Sequence, residues 1–396
     1  MNKYSSLLVW GILLLTLSCS SISEQDVFIF DPSKDYPEFP LSLNDVADVS
    51  FITLGGEEEG IYIPSIWDAG FFFDGQHNRL FTSHSSIGVL EFDGQGRFLR
   101  RIGRLGRGPG EYATVFFYIQ PETERVGVYD QTREKFLVYK YDGSYIEGEG
   151  IDIELFAGFN TFLVHNDCLL DYNPYSTTFL ESSGRTHRIS ERTLNLFPIF
   201  GQNNNYIIKD IHYEQPLVIP EDWGEDYHKL MLPGQIIPSY SGILLSTYRS
   251  DTTYVIENDF RWRPFLVNER HNGIQEGCLY PTAETKDYLF LCHQDNLRGG
   301  RSQLQYYAID KKSKQHYKIT SDESSLLPGP LQGKAQIPVG GITKNPEYRF
   351  WEFRAEDLKE ECYDYLPQDL KVLVDQCDED SNPILMLIKF KDVTHN

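Results

Sequence analysis

The sequence predicts an all-β fold, a six-bladed β-propeller with a short helical insertion in its last blade. Three observations lead there. A strand-turn-strand unit recurs 49 residues on, from Phe92 to Tyr141, and each copy carries an aromatic-Asp-Gly turn. The composition also sets 25 Tyr, 25 Phe, 31 Gly and 20 Pro against three Met. Aromatic residues fit a pleated, half-buried surface, while Gly and Pro punctuate turns. Units of about 40–50 residues with about four strands each are the mark of a propeller blade.

Taken in order, Met1-Asn2-Lys3, the apolar run Leu7 to Leu17 and Ser18-Cys19-Ser20-Ser21 read as a secretory signal over residues 1–18. The run is too short to cross about 30 Å of hydrocarbon as a helix. Leu15-Thr16-Leu17-Ser18-Cys19 resembles the lipobox of bacterial lipoproteins, which implies diacylglycerol on the Cys19 thiol and attachment to a membrane through acyl chains. The alternative is ordinary signal-peptidase cleavage with Cys19 incidental. Residues 19–40, polar with Pro32, Pro37 and Pro40, read as a tether, and 41–396 as the propeller domain.

The first clear unit runs from Leu80 through Ile87–Gly94 to Leu99, and the second from Val126 through Phe136–Gly143 to Ile146. Asp-Gly between alternating apolar residues marks a hairpin, because Gly accepts the positive φ that the turn needs. Weaker copies follow at Cys168–Leu180, Gly242–Ile256 and Tyr288–Asp310, and a last blade at Tyr348–Trp351 with Ile384–Phe390. Ala355–Val374 carries apolar residues at helical spacing, broken by Pro367, and predicts two short helices. Val49–Leu54 is the expected partner strand that closes the ring and removes an exposed sheet edge.

Thirty-six Lys and Arg against 58 Asp and Glu give a formal net charge of −22. That balance argues against nucleic acid as a partner, whose affinity rests on cationic contacts to phosphate. Of the cysteines after Cys19, Cys278/Cys292 and Cys362/Cys377 are either bridges or small buried hydrophobes; spacing does not decide.

Three stretches are similar to a known family, the six-bladed propeller lipoproteins of gut-dwelling Gram-negative bacteria. They are Gly103-Arg104-Leu105-Gly106-Arg107-Gly108-Pro109-Gly110-Glu111-Tyr112, which looks like a GxGPGEY-type signature; Ser250-Asp251-Thr252-Thr253-Tyr254; and Asp380-Ser381-Asn382-Pro383 before the closing apolar strand. The resemblance implies an NHL/YWTD-like propeller in the cell envelope, facing the periplasm or the exterior, and implies no particular activity.

The richest chemistry lies in Gly103–Tyr112. Arginine forks bind carboxylate or phosphate, so Arg104 and Arg107, with Arg101, suit an acidic sugar or carboxylate ligand. Alternatively Arg104, Arg107, Glu111 and Tyr112 pin the junction between two blades. Tyr206, Tyr213, Trp223 and Tyr227, among flanking carboxylates, suit an aromatic loop that stacks on a glycan or a protein partner, or one that buries its own rings. Asp378–Asn382 begins like a calcium loop, but Pro383 and Lys389 stand where glycine and glutamate are needed, so no metal is expected. His165, His212 and His293 are scattered single residues that either line a central channel or serve the framework. No cofactor motif occurs, since the glycine spacing matches no nucleotide-binding loop. The expected role is a binding or scaffold module for a glycan, a peptide or an envelope protein. The alternative is a propeller enzyme, a lyase or glycoside hydrolase, with residues converging on the central channel.

Overall fold

The computed structural model describes residues 27–391 apart from 42, 57–59, 64–69, 114–115, 131, 149–150, 153–160, 166–167, 178–188, 199–206, 212–234, 247–250, 258–261, 270–277, 295–303, 320–346, 362 and 379, with backbone alone over 151–236. The chain enters as strand β1 (Phe28–Phe30), which buries Phe28 and Phe30 and leaves Ile29 outside. A short helix α1 (Leu43–Val46) then leads into β2 (Ala47–Thr53).

Six sheets follow, numbered I to VI in chain order. Sheet I holds β3 (Phe71–Asp74), β4 (Arg79–His84), β5 (Gly88–Asp93) and β6 (Phe98–Ile102). Sheet II holds β7 (Phe116–Gln120), β8 (Arg125–Asp130), β9 (Lys135–Lys140) and β10 (Ile151–Asp152). Sheet III holds β11 (Thr161–His165), β12 (Cys168–Thr177), β13 (Ile189–Pro198) and β14 (Ile207–Ile211). Sheet IV holds β15 (Gln235–Ser239), β16 (Gly242–Ser246), β17 (Thr252–Ile256) and β18 (Trp262–Asn268), with β1 added in parallel to β18. Sheet V holds β19 (Cys278–Glu284), β20 (Tyr288–Gln294), β21 (Leu304–Asp310) and β22 (His316–Ile319). Sheet VI joins β23 (Tyr348–Phe353) and β24 (Ile384–Phe390) to β2.

The arrangement is all-β and propeller-like, because every sheet packs on the next and the last on the first. Phe72 and Phe81 of sheet I meet Phe117 and Tyr139 of sheet II; β7 touches β11, and β11 touches β15. Leu244 and Phe265 of sheet IV pack on Leu289 and Tyr307 of sheet V, and Phe290 of sheet V on Met386 of sheet VI. Phe350 and Leu385 of sheet VI close on Phe71 and Leu90 of sheet I. The expectation of six four-stranded blades needs correction. Among the described residues five sheets have four or more strands, while the one built from the two chain ends has three. Its third strand is β2, paired antiparallel with β24 from Ala47↔Phe390 to Thr53↔Ile384, as the closing strand was expected to be.

Between β23 and β24 lie two short helices, α2 (Ala355–Glu361) and α3 (Gln368–Gln376), with Pro367 capping the second. Leu358, Leu370 and Val374 fill the wedge between sheets V and VI together with Phe39. Residues 27–40, expected within the tether, are docked instead. The Phe39 N–H donates to the Lys318 carbonyl, 2.9 Å away, and the Lys318 N–H to that of Pro37, also 2.9 Å. The physical reason is the three phenylalanines, 28, 30 and 39, whose rings a free tether would leave in water at about 2 kcal/mol each. Cys278 and Cys292 are unbridged and buried, Cys278 opposite Gln294 and Cys292 opposite Tyr280.

The repeated aspartate has one job in three sheets. Asp93 Oδ1 accepts the N–H groups of Gln95 and Arg97, Asp142 Oδ1 that of Ser144, and Asp310 Oδ1 those of Lys312 and Ser313. Each is an Asx-type turn in which the side chain stands in for a backbone acceptor.

Candidate functional site

Gly103–Tyr112 connects edge strand β6 of sheet I to β7 of sheet II. Its start requires glycine. Gly103 has φ +60°, and a Cβ there would sit 2.7 Å from the Tyr139 ring. Its end is anchored by Tyr112, which is fully buried. The Tyr112 hydroxyl donates to the Ile102 carbonyl at 2.6 Å and accepts the Val89 N–H at 3.0 Å. Burial pushes this phenol up to about 12. Within the loop the Tyr112 N–H donates to the Arg104 carbonyl (3.2 Å) and the Gly106 N–H to the Tyr112 carbonyl (3.0 Å).

Sheet II grips the other side. The Tyr139 hydroxyl donates to the Gly110 carbonyl at 2.9 Å. Arg133 donates through Nη1 to the Glu111 carbonyl (2.7 Å) and through Nη2 to that of Gly106 (3.0 Å). Asp130 Oδ2 accepts the Ala113 N–H at 2.8 Å. At the loop's centre Glu111 accepts the Gly108 N–H at 2.6 Å and Arg104 Nε at 2.5 Å. The Gly108 N–H first, then Arg104, hold its carboxyl below the usual carboxylate range.

Of the four residues singled out in this loop, Tyr112 and Glu111 are thus bound into the framework. Arg104 is tied to Glu111 but its side chain stays 77% exposed, and Arg107 is exposed. The sequence pointed to neither Arg133 nor Tyr139 as partners; Tyr139 stood in the second repeat copy, which was its one visible signal.

A second polar cluster lies between sheets I and II. Asp74, buried, accepts His77 Nδ1 (2.7 Å) and the Tyr141 hydroxyl (2.8 Å) on Oδ2. His77 Nε2 lies 3.6 Å from Glu124 Oε1. Alongside, the buried Glu91 on β5 stands between Arg79 on β4 and Arg100 on β6, with Nε–O separations of 3.2 and 3.1 Å. Burial outweighs the two arginines and raises the Glu91 carboxyl.

Cys19, Tyr206, Tyr213, Trp223 and Tyr227 lie outside the described residues, as do His212 and the His165 side chain. His293 sits on β20, opposite Leu279 and Gln305. Asp378 Oδ1 accepts the Ser381 hydroxyl (2.8 Å), a local turn. Among the described residues no group of three or more His, Cys, Asp or Glu is placed to hold a metal ion, and no helix is long and apolar enough to cross a membrane.

Solved structures resemble this chain to differing degrees. A presumed exported protein of Bacteroides fragilis superposes with a TM-score of 0.61 at 15% identity, covering 92% of this chain and all of its own. A member of the DUF4221 family from Bacteroides vulgatus gives 0.47 at 10% identity, covering 88% of this chain and 98% of its own. A streptogramin B lyase gives 0.33 at 8% identity, covering 69% and 87%. The first likeness supports the propeller-like fold alone, and the other two are too distant to carry an argument. No curated protein matches the sequence. Over residues 40–389 the sequence matches the model of DUF4934, a domain of unknown function, and the chain belongs to that family.

Proposed function

We propose that this protein is a lipid-anchored, extracytoplasmic propeller that binds a glycan, a peptide or an envelope protein. Sheet VI, closed by the N-terminal β2, is read as its sixth blade. One observation carries the binding role: Gly103–Tyr112 is clamped from both flanking sheets while Arg104 and Arg107 stay outside. A loop ordered before its ligand arrives loses little entropy on binding, which is what a recognition surface needs. The Cys19 lipobox supports the address, and Tyr206, just before β14, with Tyr213, Trp223 and Tyr227 after it, supplies a second candidate contact. The test is a glycan and peptide array probed with a soluble form starting at Ser20, which keeps β1, beside a form lacking 212–227, which keeps β14. Binding to a defined ligand class supports the reading; a folded protein that binds nothing on the arrays and retains no envelope partner in pull-downs sinks it.

A second reading, a lyase or glycoside hydrolase, draws on the Asp74–His77 pair. A buried carboxylate on Nδ1 fixes the tautomer and orients Nε2 as a base. Turnover of a ligand found on the arrays, lost in His77→Ala, would favour it.

A further inference from the structure

Charge in this chain is segregated. Between Asp93 and Glu111 there are five arginines and no acidic residue, leaving 31 of the 36 basic residues against all 58 acidic ones elsewhere. The structure places Arg97, Arg100 and Arg101 in and beside edge strand β6, Arg100 and Arg101 on its two opposite faces, and Arg104 and Arg107 on the loop that continues it, so that together they frame the β6 rim. Arg97 is 79% exposed and Arg100 41%, and Arg101 and Arg107 are also exposed.

The row is built as well as exposed. Arg97 Nε donates to Asp93 Oδ2 (2.7 Å), Arg104 Nε to Glu111 Oε1 (2.5 Å), and Arg100 Nε stands 3.1 Å from Glu91 Oε2. Arg101 Nη1 donates to the Ile87 carbonyl at 2.6 Å. Two guanidinium groups, those of Arg97 and Arg104, are therefore held by hydrogen bonds through Nε, and that of Arg100 by its ion pair with Glu91. Five arginines meet the carboxylates of Asp93, Glu91 and Glu111 and, beside Arg100, that of Asp142, so the rim keeps a small positive excess in an acidic protein.

We infer that the β6 rim is a docking surface for an acidic polysaccharide, a sugar chain bearing carboxylates; this rests on the binding role proposed above and names its ligand. Planar forks pair bidentately with carboxylate, and an edge strand offers outward peptide N–H and C=O groups to the hydroxyls between them. A duplex nucleic acid fits worse. It is long and stiff, and would run from the rim onto the surrounding acidic surface within the ~8 Å over which charges act at physiological salt.

The test uses oligogalacturonate as the probe, with neutral dextran oligosaccharides and single-stranded DNA of equal charge as comparators, in calorimetric titrations at low salt. Wild-type protein is expected to bind the uronate, to ignore dextran and to bind DNA more weakly. Binding should fall by about tenfold or more in the double variant Arg101→Gln/Arg107→Gln and on raising salt from about 20 to 200 mM. Arg107→Gln alone, on an exposed loop position, guards against misfolding and should show a partial loss with an unchanged melting temperature. No uronate binding by wild type, equal binding of dextran or DNA, or full binding by a folded double variant would each overturn the inference. An array hit of another class beside a negative uronate titration would leave the binding role standing and remove only this ligand.

Discussion

The Tyr141 hydroxyl donates to Asp74 Oδ2 across 2.8 Å, joining the Asp-Gly turn that follows β9 in sheet II to the end of β3 in sheet I. The aromatic residue before the repeated aspartate can thus do more than pack. In the second unit it crosses to the neighbouring sheet and closes a buried carboxylate that also receives His77. Tyr141→Phe keeps the ring against Phe81 and His77 and removes one acceptor interaction from a buried carboxylate. The expected loss is about 1–3 kcal/mol of stability, read as a lower urea midpoint with an unchanged slope. An unchanged midpoint would mean that the bond does not hold the two sheets.

How much of this was legible beforehand follows from where the physics is local. The turns at Asp93 and Asp142 and the helix break at Pro367 depend on a few consecutive residues and were read correctly. The pairing of β2 with β24 was inferable because an open ring leaves an edge. The docking of Phe28 and Phe30 was not, since two buried rings in a proline-scattered polar stretch look like chance. Arg133 and Tyr139, which hold the Gly103–Tyr112 loop, were hidden because their partners are backbone carbonyls 22 to 29 residues away. Carbonyl acceptors carry no sequence signature.

Asn382 offers a sharper test of ring closure. Its Oδ1 accepts the Ile63 N–H at 2.7 Å, and its Nδ2 donates to the carbonyls of Ile61 (3.0 Å) and Gly55 (3.3 Å). The side chain thus fixes the chain after β2 against the entry to β24. Asn382→Ala would strand three backbone groups, two of those bonds being buried, and should cost about 2–4 kcal/mol. Asn382→Asp keeps the acceptor but sets a carboxylate oxygen against the Ile61 and Gly55 carbonyls, so at neutral pH it should cost at least as much as Ala. Equal stability of all three proteins by thermal unfolding would show that the ring closes without it.

The N-terminal strap is an integral part of the fold. Phe30 is wholly buried, stacked on Tyr36 at 5.2 Å and edge-on to Tyr307 at 4.9 Å. Phe30→Ala should cost about 3–5 kcal/mol. Removing residues 27–39 should lower the melting temperature at least as far. A truncated form as stable as the full one would return this segment to the role of a tether.

Acid stability should report on the Gly103–Tyr112 loop. Glu111 has its carboxyl lowered in the folded state by the Gly108 N–H and Arg104. A lowered folded value adds stability that is present above the unfolded carboxylate range, near pH 4.3, and is lost as pH falls through the folded value. Glu111→Gln should therefore flatten this part of the stability profile below pH 4.3, leaving the difference from wild type smallest in acid. A difference that stays constant down to pH 2 would place the Glu111 contribution in packing and not in its charge.

Alkali tests the tyrosine lock. Burial raises the phenols of Tyr112, to about 12, and of Tyr139 and Tyr141. The unfolded chain ionises tyrosine near pH 10. Each raised phenol therefore contributes stability that is complete below about pH 10 and drains away as pH climbs through the folded value, because the unfolded state releases the proton first. Unfolding free energy should fall steadily from pH 10 to 12, and absorbance at 295 nm should show a late-ionising group of tyrosines that appears together with unfolding. Tyr112→Phe should reduce that fall, at the cost of its two hydrogen bonds at lower pH. Tyrosines that all titrate near pH 10 in the folded protein would show that Tyr112 is open to solvent and that the loop is not locked.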